Sequence, residues 1–258
     1  MLCIANQKGG VGKTTTAVNL ATALAAAEKR VLLIDLDPQG NASTGLGIAR
    51  QDRSNSTYQL LLGDAAFGES VQQTIVPHLF IVPSASDLSG AEIELVSLDR
   101  REYRLQDALH GHLDGFDFVL IDCPPSLGLL TLNALIAADA LLIPVQCEFY
   151  ALEGLTALTR TVDRIRRALN PRLEIQGMVL TMADKRNNLS VLVDRDVRAH
   201  FGDAVYQTVI PRNVRLSEAP SHGKPALLYD FHSAGSQAYV HLARELLARE
   251  RRREAVLT

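Results

Sequence analysis

Cysteine is scarce: Cys3, Cys123 and Cys147 are the only three in 258 residues. They are too few and too scattered for a disulfide framework or a four-cysteine metal site, so a reducing, cytosolic compartment is expected. No apolar run approaches the roughly 20 residues that a membrane-spanning helix needs. No secretory leader is expected either, because the first apolar run begins at Leu2 and a glycine-rich motif follows within ten residues. That early start also predicts no separate N-terminal module. Repeats and low-complexity linkers are missing, and the expectation is one domain over residues 1–258. Nor is positive charge in excess: a formal net charge of −3 excludes a chain coated in basic residues but leaves room for a local basic face.

Apolar residues make up 47% of the chain, enough for one large core. The most informative stretch is Gln7-Lys8-Gly9-Gly10-Val11-Gly12-Lys13-Thr14-Thr15, which follows a short apolar strand, Leu2 to Ala5, and opens an amphipathic helix. Strand, glycine turn and helix form the setting of a phosphate-binding loop. Glycines let successive backbone N–H groups point inward at phosphate oxygens, and the helix N-terminus adds partial positive charge. In such a loop Lys13 reaches the terminal phosphates and the Thr14 hydroxyl ligates Mg²⁺. One position departs from the usual pattern: Gln7 stands where a glycine is expected, and a second lysine, Lys8, follows it.

Beyond the loop, Ala17, Leu20, Ala21, Leu24 and Ala25 recur at helical spacing. Apolar runs at 31–34, 79–82, 118–121, 141–145, 175–182 and 205–210 read as strands. Helical patterns are expected within 87–110, at 151–169, at 189–201 and from Ser236 onward, with a short helix around Tyr58 to Leu62 inside a weakly patterned stretch. Strands alternating with helices predict an α/β fold, a doubly wound and mostly parallel sheet flanked by helices. Two strands end in acids. Val31 to Ile34 leads into Asp35-Leu36-Asp37-Pro38, and Phe118 to Ile121 into Asp122-Cys123-Pro124-Pro125. Open α/β sheets place their chemistry at such strand ends, and a carboxylate there can hold Mg²⁺ through a bound water, the role predicted for Asp122.

Three segments together carry a family resemblance: Lys8 to Thr15, Leu36-Asp37-Pro38-Gln39-Gly40-Asn41, and Ile210-Pro211-Arg212-Asn213-Val214-Arg215-Leu216-Ser217-Glu218-Ala219-Pro220. The chain resembles the ParA/Soj-type partitioning ATPases, a branch of the deviant Walker A group of P-loop proteins that also holds MinD and the nitrogenase iron protein. The resemblance implies a cytoplasmic, nucleoid-associated ATPase using ATP and Mg²⁺, weak without its partner. It implies an ATP-bound sandwich homodimer that binds DNA nonspecifically and releases it after hydrolysis stimulated by a ParB-like protein. Within it, Lys8 would reach across to the partner's nucleotide, Asp37 would orient the attacking water, and Asp122 would be the Walker B carboxylate. Asp35 would be a structural or supporting partner. Gly9, Gly10, Val11, Gly12, Lys13, Thr14 and Thr15 would hold the phosphates, and Pro211 and Asn213 would lie near the adenine. Arg186 and Arg215 match arginines implicated in DNA contact, with Lys185 and Arg212 close enough to contribute.

Three rival readings remain at this stage. A MinD-like membrane-positioning ATPase needs an amphipathic tail, whereas the residues beyond Ala248 are dominated by Arg and Glu. An electron-transfer protein would have to bring Cys123 and Cys147 of two subunits around a cluster. A small-molecule kinase or ligase would use the same loop on an acceptor that the sequence does not reveal.

Overall fold

A computed structural model describes residues 1–148, 151–184 and 186–257. Its strands are β1 (Leu2–Ile4), β2 (Val31–Asp35), β3 (Gln72–Gln73), β4 (Leu79–Val82), β5 (Phe118–Asp122), β6 (Ala140–Gln146), β7 (Glu174–Ala183) and β8 (Val205–Pro211). They form one sheet in the order β3-β4-β2-β5-β1-β6-β7-β8. Every pairing is parallel except β3 with β4 at one edge. The expected doubly wound α/β sheet is therefore the observed one.

The helices are α1 (Lys13–Ala26), α2 (Asn41–Gly45), α3 (Thr57–Leu62), α4 (Phe67–Ser70), α5 (Leu88–Leu95), α6 (Arg104–Leu109), α7 (Leu129–Ala137), α8 (Ala151–Ala168), α9 (Asn188–Phe201), α10 (Val214–Glu218), α11 (Ala226–Tyr229) and α12 (Ala234–Leu257). No helix among the described residues is long and apolar enough to cross a membrane. The period of two along each strand sends alternate side chains into two cores. On β2, Leu32 and Ile34 join the core beneath α5 to α9, while Val31 and Leu33 join the core beneath α1 and α12. Strands covered on both faces must be apolar on both, which is why these runs lack polar alternation.

Strand β3, helix α7 and the short helices α2, α4, α10 and α11 had no counterpart in the sequence reading. Helix α7, Leu-Leu-Thr-Leu-Asn-Ala-Leu-Ile-Ala, is buried around most of its circumference from Leu130 to Ala137, so its apolar residues show no helical period. Its one internal amide, Asn133, is satisfied by donating to the carbonyls of Arg101 and Leu129 and accepting from the Leu105 amide. Parallel registers bring Ile4 opposite Asp122 and Asp35 opposite Asp122. The phosphate loop and both acid-tipped strands thus open at one carboxyl edge of the sheet, where the two halves of the strand order diverge around β1.

Candidate active site

The loop between β1 and α1 is held from outside itself. Asn6 Nδ2 donates to the Pro144 carbonyl at 2.8 Å, and Asn6 Oδ1 accepts from the Lys8 amide at 3.0 Å. Thr181 on β7 donates its hydroxyl to the Val11 carbonyl at 2.8 Å. Gly10 and Gly12 take left-handed φ angles of 75° and 86°, which side chains disfavour. Among the described residues, no backbone amide from Gly9 to Thr15 donates to a protein acceptor, and the first helical bond of α1 runs from the Thr16 amide to the Gly12 carbonyl at 2.9 Å. Seven consecutive donors are thereby left for an anion, a nest at a helix start.

Lys13 is buried, and its ammonium donates to the Lys8 carbonyl at 3.0 Å. Burial lowers its pKa, while the nearby Asp122 and Asp37 carboxylates oppose that shift. The Lys8 ammonium pairs with Glu148 of the same chain, just beyond the end of β6. Asp122 is fully buried, and neither of its carboxylate oxygens has a hydrogen-bond partner among the described residues. Burial and the neighbouring Asp35 and Asp37 push its pKa well above the usual carboxylate range, against the opposing influence of Thr14 and Lys13. A buried, unpartnered carboxylate beside a threonine hydroxyl suits an oxygen-seeking hard cation, and the donor set fits Mg²⁺ held with bound water.

Asp37, also buried, caps a tight turn: its Oδ1 accepts from the Gln39 amide at 3.0 Å and its carbonyl from the Gly40 amide at 2.9 Å. Asp35 points elsewhere. Its Oδ2 accepts from the Ser43 amide at 2.8 Å and the Ser43 hydroxyl at 2.7 Å, and Ser43 Oγ in turn accepts from the Ser84 amide at 2.9 Å. Burial raises its pKa to about 6, with the Ser43 hydrogen bonds pulling the other way. These contacts join β2 to α2 and to the end of β4.

A pocket of about 410 Å³ extends from this loop. Gly12, Thr14 and Thr15 line one side, Pro211, Arg212 and Asn213 the other, so residues two hundred positions apart in the chain share one cavity. Its remaining wall includes Asn41, Thr44 and Gly45 of α2, Lys224, and Tyr239 of α12; of these only Asn41 stood in a motif segment the sequence singled out, and none was assigned a role in the site. Asn213 also caps α10 by accepting from the Arg215 amide at 3.0 Å. The exposed Arg186 makes a two-point ion pair with Asp184, Nε to Oδ1 at 3.0 Å and Nη2 to Oδ2 at 2.9 Å. Arg186 thereby holds the Asp184 carboxyl down at about 2. Arg215 pairs with Glu218 at 2.8 Å and Asp230 at 3.2 Å. Lys185 lies outside the described residues. The Cys123 sulfur faces Cys3 in the core at 3.4 Å rather than a surface where a cluster would sit.

The comparisons with known proteins agree with this geometry. A family model described as an AAA domain matches residues 1–175. The chromosome partitioning protein ParA of Caulobacter vibrioides is 63% identical over 257 residues, covering 99% of this chain and 96% of that protein. The sporulation initiation inhibitor protein Soj of Bacillus subtilis is 54% identical over 248 residues, covering 96% of this chain and 98% of that protein. A crystal structure of cobyrinic acid a,c-diamide synthase from Mycobacterium smegmatis with bound ADP and magnesium superposes with a TM-score of 0.84 at 37% identity, covering 97% of this chain and 94% of that one. A phosphate nest, two acid-tipped strands and near full-length identity to named partitioning proteins lead to one conclusion: the chain belongs to the ParA/Soj family of partitioning ATPases.

Proposed function

We propose that this chain, acting as one ATPase unit, drives DNA partitioning through a cycle of ATP binding and hydrolysis. The observation that carries the chemistry is the convergence of seven acceptor-free amides, Gly9 to Thr15, with the unpartnered Asp122 carboxylate. The amides and Lys13 bind the phosphates; Thr14, and Asp122 through water, would hold Mg²⁺, which supplies charge neutralisation on the phosphates. Asp37 orients the attacking water, and the pocket wall at Pro211 and Asn213 receives the base. Lys8 serves the nucleotide of a second copy in an ATP-bound homodimer. That role requires its pair with Glu148 to open.

The DNA face comprises Arg186, Arg215 and Arg212 together with Lys185, and the substrate is DNA without sequence preference, contacted through phosphates. A basic ParB-like protein is the stimulating partner. The names of the curated relatives favour the chromosome as cargo. The synthase among the structural relatives shares 37% identity, well below the 63% shared with the Caulobacter partitioning protein, so the small-molecule reading ranks second. One assay separates them. ATP hydrolysis should rise with DNA plus a basic partner peptide and stay flat with cobyrinic acid. Stimulation by the metabolite instead would overturn the partitioning reading.

A further inference from the structure

Arg53 is a charged side chain that the proposed chemistry does not use, yet it is only 5% exposed. No carboxylate pairs with it among the described residues. Its donors go to main-chain carbonyls and one hydroxyl instead: Nη1 to Gly40 O at 3.2 Å and Ser84 O at 3.0 Å, Nη2 to Ile48 O at 2.6 Å and Thr44 Oγ1 at 2.9 Å, and Nε to Ile48 O at 3.2 Å. Three of these acceptors, Gly40, Thr44 and Ile48, belong to the segment that follows Asp37, and the fourth closes β4. Gly40 adopts a φ of +61°, and a Cβ there would run into Arg53 Nη1 and come within 2.8 Å of the Ser84 carbonyl. The segment and the guanidinium are therefore fitted to each other.

Burying a cation without an anion is costly, and folding tolerates it only when every donor is satisfied. The fork spends four of its five donors on one segment and the fifth on the Ser84 carbonyl. The inner side of that segment, Asn41, Thr44 and Gly45, walls the nucleotide pocket, and its first turn carries Asp37 through the bond from the Gly40 amide to the Asp37 carbonyl. The Asp35–Ser43–Ser84 chain ties the same segment to the sheet as well. Two grips that meet at Ser84 act on one short stretch.

We propose that Arg53 is a positioning residue for ATP hydrolysis, fixing the Asp37-to-Ile48 segment so that Asp37 is aimed at the attacking water. The inference rests on the role assigned to Asp37 above. A lysine cannot replace the guanidinium: it keeps the charge but lacks the planar fork that reaches carbonyls on both sides.

The test compares Arg53→Lys, Asp37→Asn and the double variant in the full-length protein, with single-turnover ATP hydrolysis and ATP affinity measured separately. Arg53→Lys should lower the hydrolysis rate about tenfold to a hundredfold, the cost of slight misplacement of a reacting group, and leave ATP affinity within about threefold. Added to Asp37→Asn it should cost little more, because both changes remove one function. A hydrolysis rate near wild type in Arg53→Lys, or losses that multiply in the double variant, overturns the inference. A fall in rate and affinity together with a lowered Tm also overturns it, since that marks a purely structural role. Should Arg53→Lys fold poorly, Arg53→Gln, which keeps a planar amide donor at the same position without the charge, is read by the same criteria. Normal hydrolysis by Asp37→Asn alone, by contrast, strikes at the assignment of Asp37, a result distinguishable from the Arg53 outcome.

Discussion

The Lys13 ammonium donates to the Lys8 carbonyl oxygen at 3.0 Å, so the side chain of one loop lysine is bonded to the main chain of the other. Their side chains nonetheless face different surroundings. Lys13 is buried near Asp122 and Asp37, whereas Lys8 is exposed and paired with Glu148. Removing each should therefore do different damage. Lys13→Ala is expected to weaken nucleotide binding about tenfold or more, since a charge-assisted contact to phosphate is lost. Lys8→Ala should bind nucleotide almost normally and lose hydrolysis. Titration of a fluorescent ATP analogue, beside phosphate release, checks both; a Lys8 variant with normal turnover would reduce the loop to an ordinary one.

The DNA face makes a prediction of a different kind, because two of its three arginines, Arg186 and Arg215, are engaged within the chain. Arg215→Ala should weaken DNA binding and reduce the log–log salt slope by about 0.9, the share of one neutralised phosphate. ATP binding should persist. Asp184, held near a pKa of about 2 by Arg186, stays charged throughout the physiological range and competes with DNA phosphates for that arginine. Asp184→Asn is then expected to tighten DNA binding in low salt. Filter retention across a salt series measures all three proteins.

Asp35 makes stability depend on pH. Its folded pKa of about 6 lies above the ordinary 3.8, so the folded state binds the proton more tightly than the unfolded chain. The resulting stabilisation is fully present below the unfolded value and is lost as pH rises through about 6. The group's share of the loss is of order 1–3 kcal/mol. Asp35→Asn keeps an acceptor for Ser43 and removes the charge, so its Tm should fall less than that of the wild type between pH 5 and 7. Parallel Tm profiles for the two proteins would contradict this.

Much of the site was legible because it lies where strands end. The turn Gly9 to Gly12, Asp37 after β2 and Asp122 on β5 each follow an apolar run, and the parallel registers then bring them together. Residues outside that grammar were not legible. Arg53 sits in Gln-Asp-Arg-Ser-Asn, which reads as solvated surface; its burial depends on carbonyls of Gly40, Ile48 and Ser84 that only the tertiary fold gathers. Glu148 had no sequence signal beyond its place after β6. Strand β3 is two glutamines paired antiparallel with Phe80 and Ile81, an edge that tertiary contact alone creates.

Gly47 and Gly223 supply the last test, since here the segment that carries Asp37 meets the turn that follows Arg215 and α10. Both glycines have left-handed φ, +80° and +61°; a Cβ on Gly47 would stand 2.9 Å from the Gly223 carbonyl oxygen, and one on Gly223 would stand 3.2 Å from the Gly47 Cα. Gly47→Ala therefore combines backbone strain with a main-chain collision, and the two segments must part. We expect a loss of about 1–3 kcal/mol in denaturant titration. Because Thr44 and Gly45 beside it wall the nucleotide pocket, ATP affinity should fall as well. Gly68→Ala is the control: its Cβ would meet nothing within 4 Å, so stability should hold to within about 0.5 kcal/mol. Equal stability of the two variants would show that the contact between the Asp37 segment and the Gly223 turn is not close-packed.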